Sequence, residues 1–238
     1  MIVVEGKEVL TELPELVAPG YTALLVIDMQ RDFVEPDGLF GQLGIDVSAY
    51  RTARPAITAL REAASAVGVL VVHVQNTALP SRMSDSPAQI RFNMRMHAVA
   101  RGSGPPLRYT VPGTPGHRFV DDLTPRSGEL VVTKYRSSGF WGTNLDLLLR
   151  SNGIRSVVVA GCTTEGCVES TARDAMSNDY YVVLAEDCVA SDDPAQHDAA
   201  MLLMGHRFDL ATAEQITGAW AQAQRPRDVT GREEAVLG

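Results

Sequence analysis

Three chemically reactive side chains lie at or just beyond the ends of three apolar runs that are typical of buried β-strands. Asp28 ends TALLVID, Lys134 lies near the end of ELVVTKY, and Cys167 follows SVVVA within the stretch GCTTEGCVES. A thiol can attack an acyl carbon, a carboxylate can accept the thiol proton, and an ammonium group can keep that carboxylate ionised. If the three runs end at one edge of a sheet, the sequence predicts a cysteine nucleophile beside an Asp–Lys pair.

The stretch around Cys167 has the features of a strand-to-helix turn that activates a thiol. Cys167 is predicted to open a helix, where unpaired backbone N–H groups and the helix dipole favour a negative charge. A neighbouring lysine lowers a thiol pKa further. Gly166 allows the backbone to approach a substrate closely, and the N–H groups of the turn are candidate donors to an oxyanion. We therefore predict a thiolate with a lowered pKa.

Short β-branched apolar runs alternate with longer segments at helical spacing along most of the chain. The strand candidates are Thr22–Asp28, Val69–Gln75, Glu129–Tyr135, Ser156–Gly161, Tyr180–Asp187 and a weaker Arg207–Thr212. The helix candidates are Pro55–Val67, Asn144–Ser151, Cys167–Ser177, Pro194–Met204 and Ala213–Gln222. Continuous apolar runs indicate strands buried on both faces, which is typical of a parallel sheet between helices. The predicted fold class is α/β: a doubly wound, mostly parallel six-stranded sheet with helices on both faces.

One domain is predicted to span residues 1–238, because a chain of 238 residues that is 45% hydrophobic can bury one large core. Residues 76–124 break the strand and helix pattern with Pro, Gly, Arg and Met, and long connections of this kind are commonly active-site loops or lids. The polar residues 225–238 are predicted to form a mobile tail. In an open parallel sheet the ligand site lies beyond the carboxyl ends of the strands, where the three reactive residues are expected.

Charge and composition argue against several classes of partner. A net charge of -8 leaves no basic stripe for phosphates, so neither nucleic acid nor an anionic membrane is expected. No apolar run approaches the roughly 20 residues of a spanning helix, and we expect a cytoplasmic protein. Three cysteines are too few for a disulfide framework, and Cys162 and Cys188 are expected to be buried apolar residues. The histidines have no metal-ligand spacing, so no metal or other cofactor is expected.

The motifs resemble those of the cysteine hydrolases of the isochorismatase-like superfamily. The similarity runs from ALLVIDMQRDF through VVTKYRSSGFWGTNLDLLL to VVVAGCTTEGCVESTARDA and LAEDC. The resemblance implies a catalytic triad of Asp28, Lys134 and Cys167. It also implies a cis peptide bond between Cys162 and Thr163, and an oxyanion hole formed by the N–H groups of Thr163 and Cys167.

Departures from subgroups of this superfamily narrow the expected substrate. Metal-dependent nicotinamidases carry an aspartate and histidines beyond the second strand, where this chain has QNTALPS. Isochorismatases that cleave a vinyl ether lack the nucleophilic cysteine. N-carbamoylsarcosine amidases bind the substrate carboxylate with an arginine where this chain has Ser191 and Asp192. The segments YRSSGFWGTNLD and EDCVASDD look most like those of ureidoacrylate and biuret hydrolases. This resemblance implies a cysteine-dependent amidohydrolase that cleaves a C–N bond of a small linear amide, carbamoyl or ureido substrate through a thioester.

Substrate specificity is expected to come from side chains around the strand ends. The amides of Gln30 and Asn76 can hydrogen-bond an amide or ureido group, aromatic rings can stack on it, and Arg136 can pair with a carboxylate. The seven candidates are Gln30, Phe33, Asn76, Tyr135, Arg136, Phe140 and Trp141. Four arginines of the long loop could recognise an anion instead, or form a solvated face: Arg82, Arg91, Arg95 and Arg101.

Other functions stay open from the sequence alone. Cys162 and Cys167 could form a redox pair, although their spacing is not that of a C-x-x-C motif. The chain could also be an isochorismatase-type hydrolase of another small metabolite, or an inactive binding protein of the same fold. The family resemblance further implies a homodimer or homotetramer, and the helix around Trp220 is the candidate for its apolar contact surface.

Overall fold

A six-stranded parallel sheet lies at the centre of the protein, in a computed structural model that describes residues 1–96 and 108–223. Strands β3 to β8 form this sheet, and β1 and β2 form a separate pair. The strands of the described residues are β1 (Ile2–Val4), β2 (Lys7–Val9), β3 (Thr22–Ile27), β4 (Leu70–Asn76), β5 (Leu130–Lys134), β6 (Ser156–Cys162), β7 (Tyr181–Ala190) and β8 (Asp209–Ala211). The α-helices of the described residues are α1 (Leu13–Leu16), α2 (Arg31–Val34), α3 (Leu39–Gln42), α4 (Ser48–Ala66), α5 (Pro87–Met96), α6 (Leu145–Ser151), α7 (Glu169–Ser177), α8 (Pro194–Gly205) and α9 (Ala213–Ala223).

The strand order brings the ends of the reactive strands to one edge of the sheet. The order is β5-β4-β3-β6-β7-β8, so the chain moves outward from β3 through β4 and β5 and then returns to β6 on the other side of β3. Ile27 pairs with Gly161 at the ends of β3 and β6, and Asn76 pairs with Lys134 at the ends of β4 and β5. The direction of winding reverses between β3 and β6, which is where an open parallel sheet forms its ligand crevice.

Alternate side chains of the sheet pack into two separate hydrophobic cores. On one face, Leu24 and Val26 of β3 lie in a core with residues of α1, α4 and α9. On the other face, Leu25 and Ile27 lie in a core with residues of α6, α7 and α8. All four of these strand side chains are fully buried. The predicted doubly wound α/β fold with helices on both faces is confirmed, and the six strands of its sheet are all parallel.

The largest departures from the predicted elements lie near the N-terminus and in the long loop. β1 and β2 form an antiparallel hairpin whose turn residues Glu5 and Gly6 both have positive φ, at 49° and 79°, as a two-residue hairpin turn requires. The helix predicted from Pro55 begins at Ser48, so the proline lies inside α4. α5 occupies part of the segment predicted to be a loop.

The expectation that Trp220 lies on an apolar contact surface was wrong, because its side chain is buried. Trp220 is 1% exposed, and its Nε1 donates a hydrogen bond to the carbonyl of Val17 at 2.7 Å. The ring faces inward because α9 covers one face of the sheet and places its largest apolar side chain in that core. The tail predicted at residues 225–238 lies outside the described residues. No helix in the described ranges is long and apolar enough to cross a membrane.

Candidate active site

Asp28 lies immediately after β3, in a backbone conformation that holds its carboxylate inside the protein. Its φ of 53° is in the left-handed region, which is uncommon for a residue other than glycine. Its backbone N–H donates to the carbonyl of Val74 at 2.9 Å, and its Oδ1 accepts the backbone N–H of Asn76 at 3.0 Å. Asp28 is 1% exposed. The neighbouring strand β4 therefore fixes both the backbone and the carboxylate of this residue.

Lys134 joins the other two reactive side chains. It is the last residue of β5 and is fully buried. Its Nζ lies 2.7 Å from Oδ2 of Asp28, and it donates hydrogen bonds to Sγ of Cys167 and to the carbonyl of Arg136, each at 3.1 Å. The structure thus brings together the carboxylate, ammonium and thiol that the sequence analysis singled out.

The chain turns sharply between β6 and α7, and Cys167 lies in that turn. The peptide bond between Cys162 and Thr163 is cis. A π-helical turn at Thr164–Val168 precedes α7, so the helical segment begins three residues before Cys167 rather than at it. A Cβ on Gly166 would lie 2.5 Å from Oγ1 of Thr163, so this position requires a glycine unless that hydroxyl moves.

The electrostatics of the cluster differ from the prediction of a lowered thiol pKa. Burial raises the pKa of Cys167 to about 12, and the Asp28 carboxylate raises it too, while Lys134 only partly opposes them. Burial also raises the pKa of Asp28 despite the ammonium group beside it. For Lys134, burial is outweighed by attraction to Asp28 and to the sulfur, and its pKa rises. With an ammonium at 2.7 Å, we assign Asp28 as a carboxylate and Cys167 as a neutral thiol at rest.

A chamber with a mostly polar lining adjoins this cluster. Its wall is continuous with the cluster at Asn76, whose N–H contacts Asp28, and at Tyr135, which follows Lys134. We call it the polar chamber, and its lining consists of Asn76, Thr77, Ala78, Arg82, Ser84, Asp85, Gln89, Ile90, Asn93, Arg108, Tyr109 and Tyr135. It contains amide, hydroxyl and guanidinium groups and only two purely aliphatic side chains. Its chemistry fits a small polar ligand better than an apolar one.

Four of the seven candidate binding residues line surface depressions near the cluster. Asn76 and Tyr135 line the polar chamber. Tyr135 also lines a neighbouring shallow depression with Arg136 and Trp141. Trp141 is 72% exposed, so its ring is open to a ligand or to another protein surface. The Nη1 of Arg136 already donates to the carbonyls of Ser84 and Tyr135, at 3.0 and 2.6 Å.

The other three candidates make contacts within the protein. Gln30 is fully buried, and its side chain donates to the carbonyls of Asn76 and His117 and accepts the N–H of Asn76, so its amide is used within the protein. The ring of Phe33 packs edge-on against Tyr109 with a centroid distance of 5.3 Å. Phe140 packs in the core on the far face of the sheet. Each of these three side chains faces a core or a neighbouring loop, and none of them lines the chamber or the depression beside it.

Tyr109 and most of the α5 side of the chamber were not among the residues predicted from the sequence. Burial raises the pKa of the Tyr109 hydroxyl, and the nearby sulfur of Cys167 raises it further. Asn93 accepts a hydrogen bond from that hydroxyl at 3.3 Å. Both lie in the long segment predicted as a loop or lid, but no motif there distinguishes them. Of the four loop arginines, Arg82 lines the chamber, Arg91 and Arg95 are exposed elsewhere on α5, and Arg101 lies outside the described residues.

The other two cysteines, Cys162 and Cys188, are free thiols and are both buried. Cys162 is 1% exposed, and its thiol donates to the carbonyl of Asp28 at 3.3 Å. Cys188 is fully buried in the same hydrophobic core as Cys162. Within residues 1–96 and 108–223, no group of three or more His, Cys, Asp or Glu side chains is arranged to hold a metal ion.

Comparison with known proteins identifies the family. Residues 22–216 match the model of the isochorismatase domain. This chain belongs to the isochorismatase family. Ureidoacrylate amidohydrolase RutB from Klebsiella pneumoniae subsp. pneumoniae is 35% identical over 193 residues, which cover 78% of this chain and 80% of RutB. The resemblance to the cysteine hydrolase branch of the isochorismatase family is thereby confirmed.

Solved structures of isochorismatase-like proteins have the same fold. An isochorismatase family protein from Desulfovibrio vulgaris subsp. vulgaris str. Hildenborough is 32% identical with a TM-score of 0.66, and the match covers 84% of this chain and 98% of that one. N-carbamoylsarcosine amidase from Thermoplasma acidophilum is 27% identical with a TM-score of 0.63, over 82% of this chain and 97% of that one.

Proposed function

We propose that this isochorismatase-family protein is a cysteine-dependent amidohydrolase that cleaves a C–N bond of a small linear amide, carbamoyl or ureido compound through a thioester. The observation that carries the proposal is the position of the Lys134 Nζ, 2.7 Å from the Asp28 carboxylate and 3.1 Å from the Cys167 sulfur. This contact joins a nucleophile, a base and an orienting cation beside a polar chamber. Family membership and the similarity to RutB support a hydrolase of small amides.

The first half of the reaction forms the thioester. A thiol with a pKa of about 12 is neutral near pH 7, so it must lose its proton as it attacks. Asp28 accepts that proton while the sulfur bonds to the acyl carbon. The backbone N–H groups of Thr163 and Cys167 hold the resulting oxyanion. When the C–N bond breaks, Asp28 returns the proton to the leaving nitrogen, which departs as ammonia or an amine.

The second half hydrolyses the thioester. A water molecule attacks the acyl carbon and transfers a proton to Asp28, the C–S bond breaks, and the sulfur regains a proton from Asp28. The net reaction adds one water to the C–N bond. The products are a carboxylate, or a carbamate from a ureido substrate, and ammonia or an amine. Lys134 remains cationic throughout and keeps Asp28 able to accept a proton.

The substrate class follows from the relatives and from the lining of the chamber. RutB is named a ureidoacrylate amidohydrolase, and the Thermoplasma protein an N-carbamoylsarcosine amidase. Both names describe enzymes acting on small, polar carbonyl compounds that bear nitrogen. The amides of Asn76, Gln89 and Asn93 line the polar chamber and can exchange hydrogen bonds with a ureido or amide group.

A substrate panel tests the proposal. Ammonia release is measured from ureidoacrylate, biuret, N-carbamoyl amino acids, maleamate and simple amides, with the wild type beside Cys167→Ala. Turnover of at least one compound by the wild type only is the expected result. Equal turnover by both proteins would reject the cysteine mechanism, and no turnover of any compound would reject the proposed substrate class.

A further inference from the structure

Thr110 has a backbone conformation that is rare for its residue type. Its φ is 53°, in the left-handed region, where a β-branched side chain is strained and where glycine or asparagine is far more common. The residue is fully buried, in the long segment between β4 and β5. A strained residue persists only where the surrounding contacts hold it, and such residues concentrate at functional sites. The contacts of Thr110 therefore indicate what its position serves.

Every hydrogen-bonding group of Thr110 has a partner. Its N–H donates to Oδ2 of Asp32 at 2.6 Å, and its carbonyl accepts the N–H of Ala78 at 3.1 Å. Its hydroxyl donates to the carbonyl of Tyr109 and accepts a hydrogen bond from Nδ2 of Asn76, each at 2.8 Å. Thr110 thereby joins Asp32, which lies in α2, to the end of β4.

The carboxylate of Asp32 lies against the backbone of two loops. Its Oδ1 accepts the N–H of Leu39 at 3.2 Å, while its Oδ2 accepts the N–H of Thr110. A Cβ on Gly116 would lie 1.9 Å from Oδ1 of Asp32, so only a glycine lets the chain pass this close to the carboxylate. An ionised carboxylate is a stronger acceptor of backbone N–H groups than a neutral side chain is. Asp32 is therefore well suited to hold Thr110 in its strained conformation.

The hydrogen bonds continue from Thr110 to the carboxylate of the reacting cluster. The Thr110 hydroxyl holds the side chain of Asn76, and the backbone N–H of Asn76 donates to Oδ1 of Asp28 at 3.0 Å. The same N–H lies 2.8 Å from Oε1 of Gln30, so two acceptors share it. Burial raises the pKa of Asp28, and the N–H of Asn76 is one of the contacts that oppose this rise. Because the N–H has a second acceptor, its alignment on Asp28 depends on how Asn76 is held.

We propose that Asp32 is a positioning residue for the base of the reaction. Through Thr110 and Asn76, it aligns a backbone N–H on the carboxylate of Asp28. The inference rests on the proposed function, in which Asp28 is that base. Asp32 does not line the polar chamber, so it acts on the base and not on the substrate.

The pH dependence of kcat/KM tests this role, with the best substrate of the panel. Asp32→Asn replaces one acceptor oxygen with an N–H donor, and Thr110→Val removes the hydroxyl that holds Asn76. Each should lower the plateau of kcat/KM by about tenfold, mainly through kcat, and move the acid limb to higher pH by about one unit. Thr110→Ser keeps the hydroxyl and should keep the wild-type profile. Asp37→Asn is the matched control, because it changes a carboxylate shortly after α2 whose side chain is 72% exposed.

The direction of the shift separates the lost hydrogen bond from the lost charge of Asp32. Removing a negative charge near Asp28 favours its ionised form and would by itself move the acid limb to lower pH. Losing the N–H of Asn76 moves the limb to higher pH. The variants leave the other titratable groups around Asp28 unchanged, which are Lys134, Cys162, Cys167 and Tyr109.

An NMR measurement separates failure of this inference from failure of the proposed function. The amide proton of Asn76 in isotope-labelled protein reports its hydrogen bond to Asp28 without any substrate. An upfield shift of this resonance in Asp32→Asn and Thr110→Val, but not in Thr110→Ser, supports the positioning role even if no compound of the panel is hydrolysed. An unchanged resonance in both variants, or an acid limb that stays in place or moves to lower pH, would overturn it. Turnover that only Cys167→Ala abolishes would then leave the amidohydrolase proposal standing.

Discussion

Two buried clusters of charged side chains lie at the two ends of strand β5, one at Glu129 just before it and one at its last residue, Lys134, and they differ in how completely their groups are paired. In one, the carboxylate of Glu129 accepts hydrogen bonds from Nε of Arg61 at 2.8 Å and from Nη2 of Arg61 at 2.7 Å. It also shares a hydrogen bond of 2.8 Å with Nε2 of His73. In the other, Lys134 lies between Asp28 and Cys167 beside the polar chamber. We refer to them as the Glu129 cluster and the Cys167 cluster.

Burial raises the pKa of both Glu129 and Cys167, but the net pKa shifts of the two groups have opposite signs. Burial raises the pKa of Glu129, but the hydrogen bonds from Arg61, from the N–H of Arg126 and from His73 outweigh it and lower the pKa to about 2. In the Cys167 cluster burial dominates, and the thiol keeps its proton. A carboxylate with saturated hydrogen bonds stabilises the fold, whereas a neutral thiol beside a carboxylate keeps a proton that the carboxylate can accept. We therefore expect the Glu129 cluster to contribute to stability, and the Cys167 cluster is the one for which we propose chemistry.

Removing the nucleophile should have the largest effect. Cys167→Ala is expected to lower kcat/KM by at least about 10⁴-fold, because no other group in the account forms the thioester. The melting temperature should change little, since a partly buried thiol is replaced by a smaller apolar group. Cys188→Ala is the control and should retain activity. Retained activity in Cys167→Ala would show that the cluster is not the reacting one.

Removing the cation should weaken the base without removing the nucleophile. Lys134→Met is expected to lower kcat by about 10²–10³-fold, within the range of general base catalysis. Lys134 lowers the pKa of Asp28, so its loss raises that pKa and the acid limb of the pH–kcat/KM profile should move to higher pH. Lys7→Met changes an exposed lysine and should leave the profile where it was. An unshifted acid limb in Lys134→Met would exclude Asp28 as the titrating base.

Disrupting the Glu129 cluster should cost stability and spare the chemistry. Glu129→Gln leaves Arg61 buried without its carboxylate and should lower the free energy of unfolding by about 3 kcal/mol, measured in urea near pH 7. The change in kcat/KM should stay within about twofold. Glu62→Gln, which removes an exposed partner of Arg126, should have little effect on either quantity.

The same variant gives a pH dependence of known sign. The folded pKa of Glu129, about 2, lies below its ordinary value of 4.5. Its stabilisation is therefore fully present above pH 4.5 and is lost as the pH falls towards about 2. The stability difference between the wild type and Glu129→Gln should shrink over that window. A difference that stays constant down to pH 2 would show that the carboxylate charge is not the source of the stabilisation.

The smallest effect is expected where a helix supports the turn that carries Cys167. Oγ1 of the buried Thr164 and Nδ1 of His197 on α8 are 2.8 Å apart and share a hydrogen bond. His197→Phe should lower the free energy of unfolding by about 1 kcal/mol and lower kcat by a few-fold, with KM nearly unchanged. His206→Phe, at an exposed position after α8, is the control. A larger effect on KM than on kcat would place His197 in substrate binding instead.

The sheet and the proximity of Asp28, Lys134 and Cys167 could be predicted from the sequence because both depend on where the strands end. Continuous apolar runs identified the parallel strands, and the register of Asn76 with Lys134 and of Ile27 with Gly161 brings their ends together. The protonation state of Cys167 could not be predicted in the same way. A lysine neighbour favours a thiolate, but how deeply the sulfur is buried beside Asp28 depends on packing that the local sequence does not reveal.

The residues that line the chamber were harder to predict, because proximity to a strand end does not determine the direction of a side chain. Gln30 and Asn76 both lie near the predicted site, yet Gln30 is buried within the loop that it ties together while Asn76 lines the chamber. Tyr109 reaches the cluster from a long connection whose path no periodic pattern specifies. Arg82 was one of four equivalent loop arginines until the position of the chamber distinguished it.

Mass spectrometry of acid-quenched enzyme during turnover tests the central claim most directly. The sample is the wild type with the best substrate of the panel, digested so that the peptide bearing Cys167 is separate from those bearing Cys162 and Cys188. We expect a mass increase equal to the acyl group on the Cys167 peptide alone. Continued turnover with an unmodified Cys167 peptide, together with an undiminished rate in Cys167→Ala, would contradict it.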